Sequence, residues 1–367
     1  MRGLPPLLAV VLLLVGCSAI EQDSAGRPAG ITKSSAGASA SELTAHSQEI
    51  LEGAVNAGDP GCSAAVGVEG QVVWSGVRGV ADLASGAPIT TDTVFDIASV
   101  SKQFTATAVL LLAGAGKLAV DDPLSEHVPG LPAWARTVTV EQLIHQVSGI
   151  PDYVGLLQDE GFDFTSHATQ ADALKSLQAV PKLEFAPGSQ FEYSNSNYIL
   201  LGEIVQNVSG ESLPKFLAAN IFQPLGLAMV LDPIGDVPNK AVSYEKGTGE
   251  YEVDTAPWEQ IGDGSIHTTP SQLVRWADNY RTGKVGGQKL LDAQLAGAVP
   301  TDAASEDRYA AGIYILADGM LDHDGSWGGF VTAFRVSDDR RTAVAISCNT
   351  DEQDPEALAD ALGKLWI

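Results

Sequence analysis

Strand-forming runs stand near both ends of this chain, and a long helix-forming stretch separates them. Near the start, SAAVGVEGQVVWSGVRGVAD sets two β-rich runs around Glu69-Gly70, a turn pair, and so reads as a hairpin. Near the end, GMLDHDGSWGGFVTAFRVSDDRRTAVAISCNT reads as three strands with Gly-rich and Asp-Asp-Arg turns, and DPEALADALGKLWI as a closing helix. From Asp121 to about Ala298, helical signals dominate. The pattern predicts an α+β fold: an antiparallel sheet of about five strands drawn from both ends, flanked by helices, with a mostly helical lobe at about 121–298. A cleft between the two is the expected place for a site.

Several helices announce their ends. KQFTATAVLLLAGAGKL is apolar nearly all round, as a buried helix would be, and Gly114 and Gly116 stop it. VTVEQLIHQVSGIPDY reads as a helix closed by Ser148-Gly149 and Pro151. In NYILLGEIVQNVSG one face carries Leu200, Leu201, Ile204, Val205 and Val208, and Gly210 is the stop. TPSQLVRWADNY opens with Thr269, Pro270 and Gln272, the pattern of a capping box.

The first residues read as an export signal instead of as fold. Arg2 precedes an apolar run from Leu4 to Val15, and Gly16-Cys17 follows. The run is shorter than the roughly 20 apolar residues of a comfortable membrane span. Residues 1–17 are therefore expected to be a signal and residues 18–41, rich in Ser, Ala and Gly, a flexible tether. The folded domain would occupy residues 42–367, as one large domain or two lobes sharing a core. With 21 Lys plus Arg against 46 Asp plus Glu, the net charge of −25 repels nucleic acid and anionic lipid surfaces. No metal or cofactor is implied: H-E-x-x-H and C-x-x-C are absent from the sequence and the six histidines are scattered. Cys62 and Cys348 are read as strand-edge residues, either bonded or buried as free thiols.

Chemistry enters at FDIASVSKQFTA, residues 95–106. Ser99 and Lys102 are three apart, which on a helix puts both on one face. A lysine buried in an apolar helix can shed its proton and serve as the base a serine hydroxyl needs. The helix start offers N–H groups to a developing oxyanion. Ser101 points elsewhere and is expected to bond the preceding turn. The chain holds two further S-x-x-K runs, at Ser212 and Ser243, and both read as structural.

Two more motifs follow in order: Tyr193-Ser194-Asn195, a Y-x-N, and His323-Asp324-Gly325, an H-x-G. With SVSK, and with the runs FEYSNSNYILLGEIV and IFQPLGL, they make the chain resemble the serine hydrolases of the penicillin-binding protein and class C β-lactamase superfamily from about Glu42 to Trp366. The start, LVGC, resembles a bacterial lipobox, which implies lipid attachment at Cys17 and anchoring to the outer face of the cell membrane; the alternative is an ordinary cleaved signal and a secreted domain.

The resemblance implies a transpeptidase-like fold and an acyl-enzyme on Ser99, with Lys102 and Tyr193 sharing the base role. The nearby cation would lower the Tyr193 phenol. Asn195 would orient Lys102 or bond the substrate amide, and His323 would donate to a substrate carboxylate or to Tyr193. Gly325 belongs to the third motif, and the N–H groups of Ser99 and Ser326 would form the oxyanion hole. In the family the first and last strands are neighbours, which implies a Cys62–Cys348 disulfide. Histidine in the third motif, in place of the lysine of β-lactamases, resembles D-alanyl-D-alanine carboxypeptidases and some esterases. Weak β-lactamase activity is the accompanying alternative. Where the family often reads LLTHTSGL this chain has LIHQVSGI, so Gln146 stands in for histidine and His145 is taken as structural. The implied partner is a small molecule or short peptide of the cell wall, and contact with the membrane is through the lipid anchor only. A penicillin-recognising sensor without turnover is the reading of a different class.

Overall fold

The computed structural model describes residues 39–367. The expected signal, lipidation at Cys17 and most of the tether lie outside the described residues. The first helix, α1 (Ala40–Ala54), begins slightly before the expected edge of the fold, where Ser39 and Glu42 form a capping box.

Among the described residues, eight strands form one antiparallel sheet. Five are long: β1 (Cys62–Val68), β2 (Gln71–Arg78), β3 (Leu321–Trp327), β4 (Phe330–Val336) and β5 (Thr342–Cys348). Their order is β3-β4-β5-β1-β2, so the two chain ends meet at the β5–β1 pair. Three two-residue strands from 299–315 extend the sheet beyond β3. They are too short to leave an alternating pattern in the sequence. Glu69 and Gly70 both take positive φ, as the tight turn between β1 and β2 requires.

Each face of the sheet is covered. On one side α1 and the closing helix α5 (Pro355–Trp366) set Leu51, Leu358 and Leu362 against Ala64, Val66, Val344 and Ile346. On the other lie α2 (Lys102–Gly114) and α4 (Pro270–Ala277), within a larger core that continues into the helical part. Each leucine buried this way contributes roughly 1.5–3 kcal/mol. Cys62 and Cys348 are register partners and form a disulfide.

Two local expectations give way to tertiary contacts. Thr269 takes the N-cap position of α4 without a capping bond from its side chain. Gln272 instead accepts from the Ala228 N–H at 3.2 Å. The helix expected across residues 138–148 is one short turn, Val140–Ile144, because Gln146 adopts φ +59° and turns the chain toward the site. Helix α3 (Asn195–Ser209) ends at Gly210, with φ +76° as a left-handed cap needs.

Candidate active site

The approach to Ser99 is a bent strand end. Phe95–Asp96 pairs with Ile266–Thr268, and the chain then turns at Ala98, whose φ is +45°. Buried Asp96 holds this turn by accepting the Ala98 N–H at 2.8 Å. A left-handed alanine is strained by about 1 kcal/mol or more, and it brings Ser99 to the start of a 3₁₀ turn that runs into α2. Ser101 differs from expectation: its hydroxyl accepts the Ile266 N–H at 3.2 Å and ties the turn to the neighbouring strand.

Lys102 is fully buried. Its Nζ donates to Ser99 Oγ at 2.9 Å, to Asn195 Oδ1 at 2.9 Å and to the Asp263 carbonyl at 2.7 Å. Burial pulls its pKa from 10.5 to about 8, while the carboxylates of Asp263, Asp152 and Asp324 oppose that shift. A neutral amine is thus within reach at mildly alkaline pH, with its nearest hydroxyl on Ser99.

Tyr193 and Asn195 arrive with the start of α3. The Asn195 amide is fixed at both ends: Oδ1 faces Lys102, and Nδ2 donates to Asp152 Oδ2 at 2.9 Å. The same Asp152 oxygen accepts the Asn195 backbone N–H at 2.8 Å. Gln146 braces the segment from below. Its carbonyl accepts from Glu192 N–H at 2.9 Å, and its Oε1 accepts from Ser194 N–H at 3.1 Å and from the Asn197 amide.

The Tyr193 phenol is not lowered, as the sequence suggested. Burial strips the phenol of water and pushes it well above 10, and this outweighs the pull of the Ser99 hydroxyl, which favours the charged form, even with Lys102 Nζ 5.0 Å from the ring centroid. The hydroxyl is buried and without a hydrogen-bond partner among the described residues. Tyr193 is therefore a proton donor in the resting site.

The third motif lies on β3, where side chains 323, 325 and 327 share one face. His323 is buried, and burial lowers its pKa to about 4, so the ring is neutral. Nδ1–H donates to the Asp324 carbonyl at 2.6 Å, and the Tyr309 hydroxyl faces Nε2 at 3.4 Å. Both nitrogens are engaged within the protein, which argues against the expected donation to substrate. Asp324 is opposite Ala333, on the strand face that α5 packs against. Gly325 has a steric reason: a Cβ there would lie 2.4 Å from the Ile97 carbonyl oxygen and 3.0 Å from the Ser99 nitrogen. Only glycine lets β3 run this close to the serine turn.

Ser99, Tyr193, Asn195, His323, Gly325 and Ser326 all line one cavity of about 370 Å³. Its remaining wall was not foreseen. Tyr153 donates to buried Asp263 at 2.9 Å, and burial raises both groups. Trp258 and Trp327 meet edge to face with ring centroids 5.6 Å apart. Asp152 carried a faint signal, as the residue after Pro151 at a helix start. The tryptophans carried none, since a lone aromatic in a loop fits any surface. His145 is outside the lining.

Comparisons with known proteins show the family and the fold. A family model described as Beta-lactamase matches residues 47–365. Protein flp of Staphylococcus aureus (strain MRSA252) is 34% identical over 326 residues, covering 83% of this chain and 62% of its own length. A D-aminopeptidase of Cereibacter sphaeroides (strain ATCC 17029 / ATH 2.4.9) is 29% identical over 318 residues, covering 83% and 60%. The chain thus spans about three fifths of the curated relatives it matches. The fold is shared with a penicillin binding protein from Bacillus halodurans, at TM-score 0.77 and 24% identity over 87% of this chain and 99% of that one. It is also shared with the D-amino acid amidase from Ochrobactrum anthropi SV3, solved with L-phenylalanine amide, at TM-score 0.74 and 22% identity over 88% and 98%. By the match over residues 47–365 and the 34% identity to a relative, the chain belongs to the beta-lactamase family of serine hydrolases.

Proposed function

We propose that this protein hydrolyses small amides or esters through an acyl-enzyme on Ser99. The observation that carries the reading is the 2.9 Å contact between Ser99 Oγ and Lys102 Nζ, a fully buried amine with its pKa drawn down to about 8. Neutral Lys102 takes the Ser99 proton as Oγ bonds the substrate carbonyl carbon. The oxyanion is held by the N–H groups of Ser99 and Ser326. As the carbon–nitrogen or carbon–oxygen bond breaks, the leaving atom receives the proton from Lys102, relayed by the Tyr193 hydroxyl. Water then attacks the acyl carbon, gives its proton to Lys102, and Oγ departs with that proton.

A D-aminopeptidase and a D-amino acid amidase among the similar proteins support short amides of D-amino acids as substrates. Carboxypeptidase action on D-alanyl-D-alanine fits less well. None of the described cavity-lining residues is Lys or Arg, and His323 is neutral and engaged, so a substrate carboxylate meets no cation. The same lack disfavours efficient β-lactamase activity. From the sequence we place the domain outside the cell membrane, tethered by residues 18–41 to a lipid on Cys17. The test is release of ammonia from D- and L-amino acid amides by the wild type and by Ser99→Ala. Turnover that survives the substitution refutes the reading.

A further inference from the structure

The cavity face of β3 is ordered along its length. At one end His323 is ringed by Tyr193, Tyr309 and Tyr314, with centroids 6.3, 6.0 and 5.3 Å from its own. In the middle Gly325 abuts the backbone of Ser99. At the other end Trp327 meets Trp258 at 5.6 Å and Phe164 at 5.6 Å. His323 and Trp327 are four residue steps apart along the strand, about 13 Å, so Ser99 stands between two chemically different ends. The leaving atom must depart beside the proton donor Tyr193. The acyl part of a bound substrate then extends the other way, toward the tryptophans.

That end is built to receive an apolar group. Trp258 is 2% exposed yet lines the cavity, and its indole N–H is satisfied by the Asp163 carbonyl at 3.1 Å. Its ring therefore offers only an apolar surface. Phe164 packs against Trp258 at 5.5 Å and remains 44% exposed, a large apolar side chain standing at the rim. We infer that Trp258 and Trp327, backed by Phe164, form the subsite for an aromatic or large apolar side chain on the acyl part of the substrate. This rests on the acyl-enzyme reading of Ser99 for its direction along the cavity.

Two measurements test it. The first compares kcat/KM for the 4-nitrophenyl esters of 3-phenylpropanoic and acetic acid. The phenylpropanoyl ester is expected to be favoured by about tenfold or more, and Trp327→Ala to reduce that ratio about tenfold. Phe164→Ala, at an exposed loop position, should reduce it about threefold and guards against a folding defect. A ratio near one, or one that neither substitution changes, overturns the inference. The second uses calorimetry on the Ser99→Ala protein, with 3-phenylpropanamide and propanamide as ligands. About tenfold tighter binding of the phenyl compound, lost in Trp327→Ala, supports the subsite even if no ester is turned over. Equal binding of the two, or none, overturns it. Absence of Ser99-dependent turnover alongside selective binding would refute the acyl-enzyme reading alone.

Discussion

Lys102 should leave a signature in stability as well as in activity. Its pKa falls from 10.5 to about 8 on folding, because a fully buried ammonium loses its water. That fall corresponds to about 3 kcal/mol. Below pH 8 the folded and unfolded chains both carry the proton, and the folded state bears the whole penalty. Between about 8 and 10.5 the folded chain sheds the proton while the unfolded chain keeps it. The unfolded state then binds more protons, so stability rises with pH, and above 10.5 the gain is complete. Lys102→Met removes this dependence and leaves the other titrating groups in place. Denaturant unfolding of both proteins from pH 7.5 to 10 should show the wild type gaining on the variant by about 2–3 kcal/mol across the range. Parallel curves would refute a lysine destined to be neutral. In the same window, kcat/KM of the wild type should rise through an apparent pKa of about 8 and then level.

Three further outcomes follow from named contacts. Asp152→Ala frees the Asn195 amide and removes a carboxylate that raises Lys102, so kcat should fall about 10–100-fold and the acid limb of the pH–rate profile should move to lower pH. An unmoved limb would show that Asp152 does not act through Lys102. Gly325→Ala forces β3 away from Ile97 and Ser99, and should cost about 1–3 kcal/mol of stability and about 100-fold in kcat/KM; wild-type kinetics would contradict the close approach. Replacing both Cys62 and Cys348 by serine opens a loop that spans nearly the whole domain and should lower unfolding stability by roughly 3–5 kcal/mol, with kcat/KM retained. A loss under about 1 kcal/mol would count against the disulfide as a staple.

What the sequence disclosed was local or repeated. The Glu69-Gly70 turn, the apolar α2, the leucine face of α3 and its Gly210 stop all follow from neighbours a few residues apart. Ser99, Lys102, Tyr193, Asn195, His323 and Gly325 were legible because three motifs place chemically matched residues in order along the chain. Burial and partners from distant segments decided the rest. Tyr193 is raised and not lowered, since burial of its hydroxyl strips the water that a phenolate needs. His323 is neutral and occupied because the strand places it among Tyr193, Tyr309 and Tyr314. Gln272 bonds Ala228, 44 residues away, and gives up its cap. Gln146 looked like a departure from a familiar motif, yet it braces both sides of Tyr193. Trp258, Trp327 and Phe164 meet only in three dimensions, from loops and a strand end that share no pattern.

The most direct test of the central claim is the intact mass of the protein, quenched within the first turnovers of an activated ester. A covalent gain equal to the acyl group, mapped to the peptide 95–106 at Ser99 and absent from Ser99→Ala, is the expected result. Ester hydrolysis without any such adduct on Ser99, or an adduct of the same mass in the alanine variant, would contradict it.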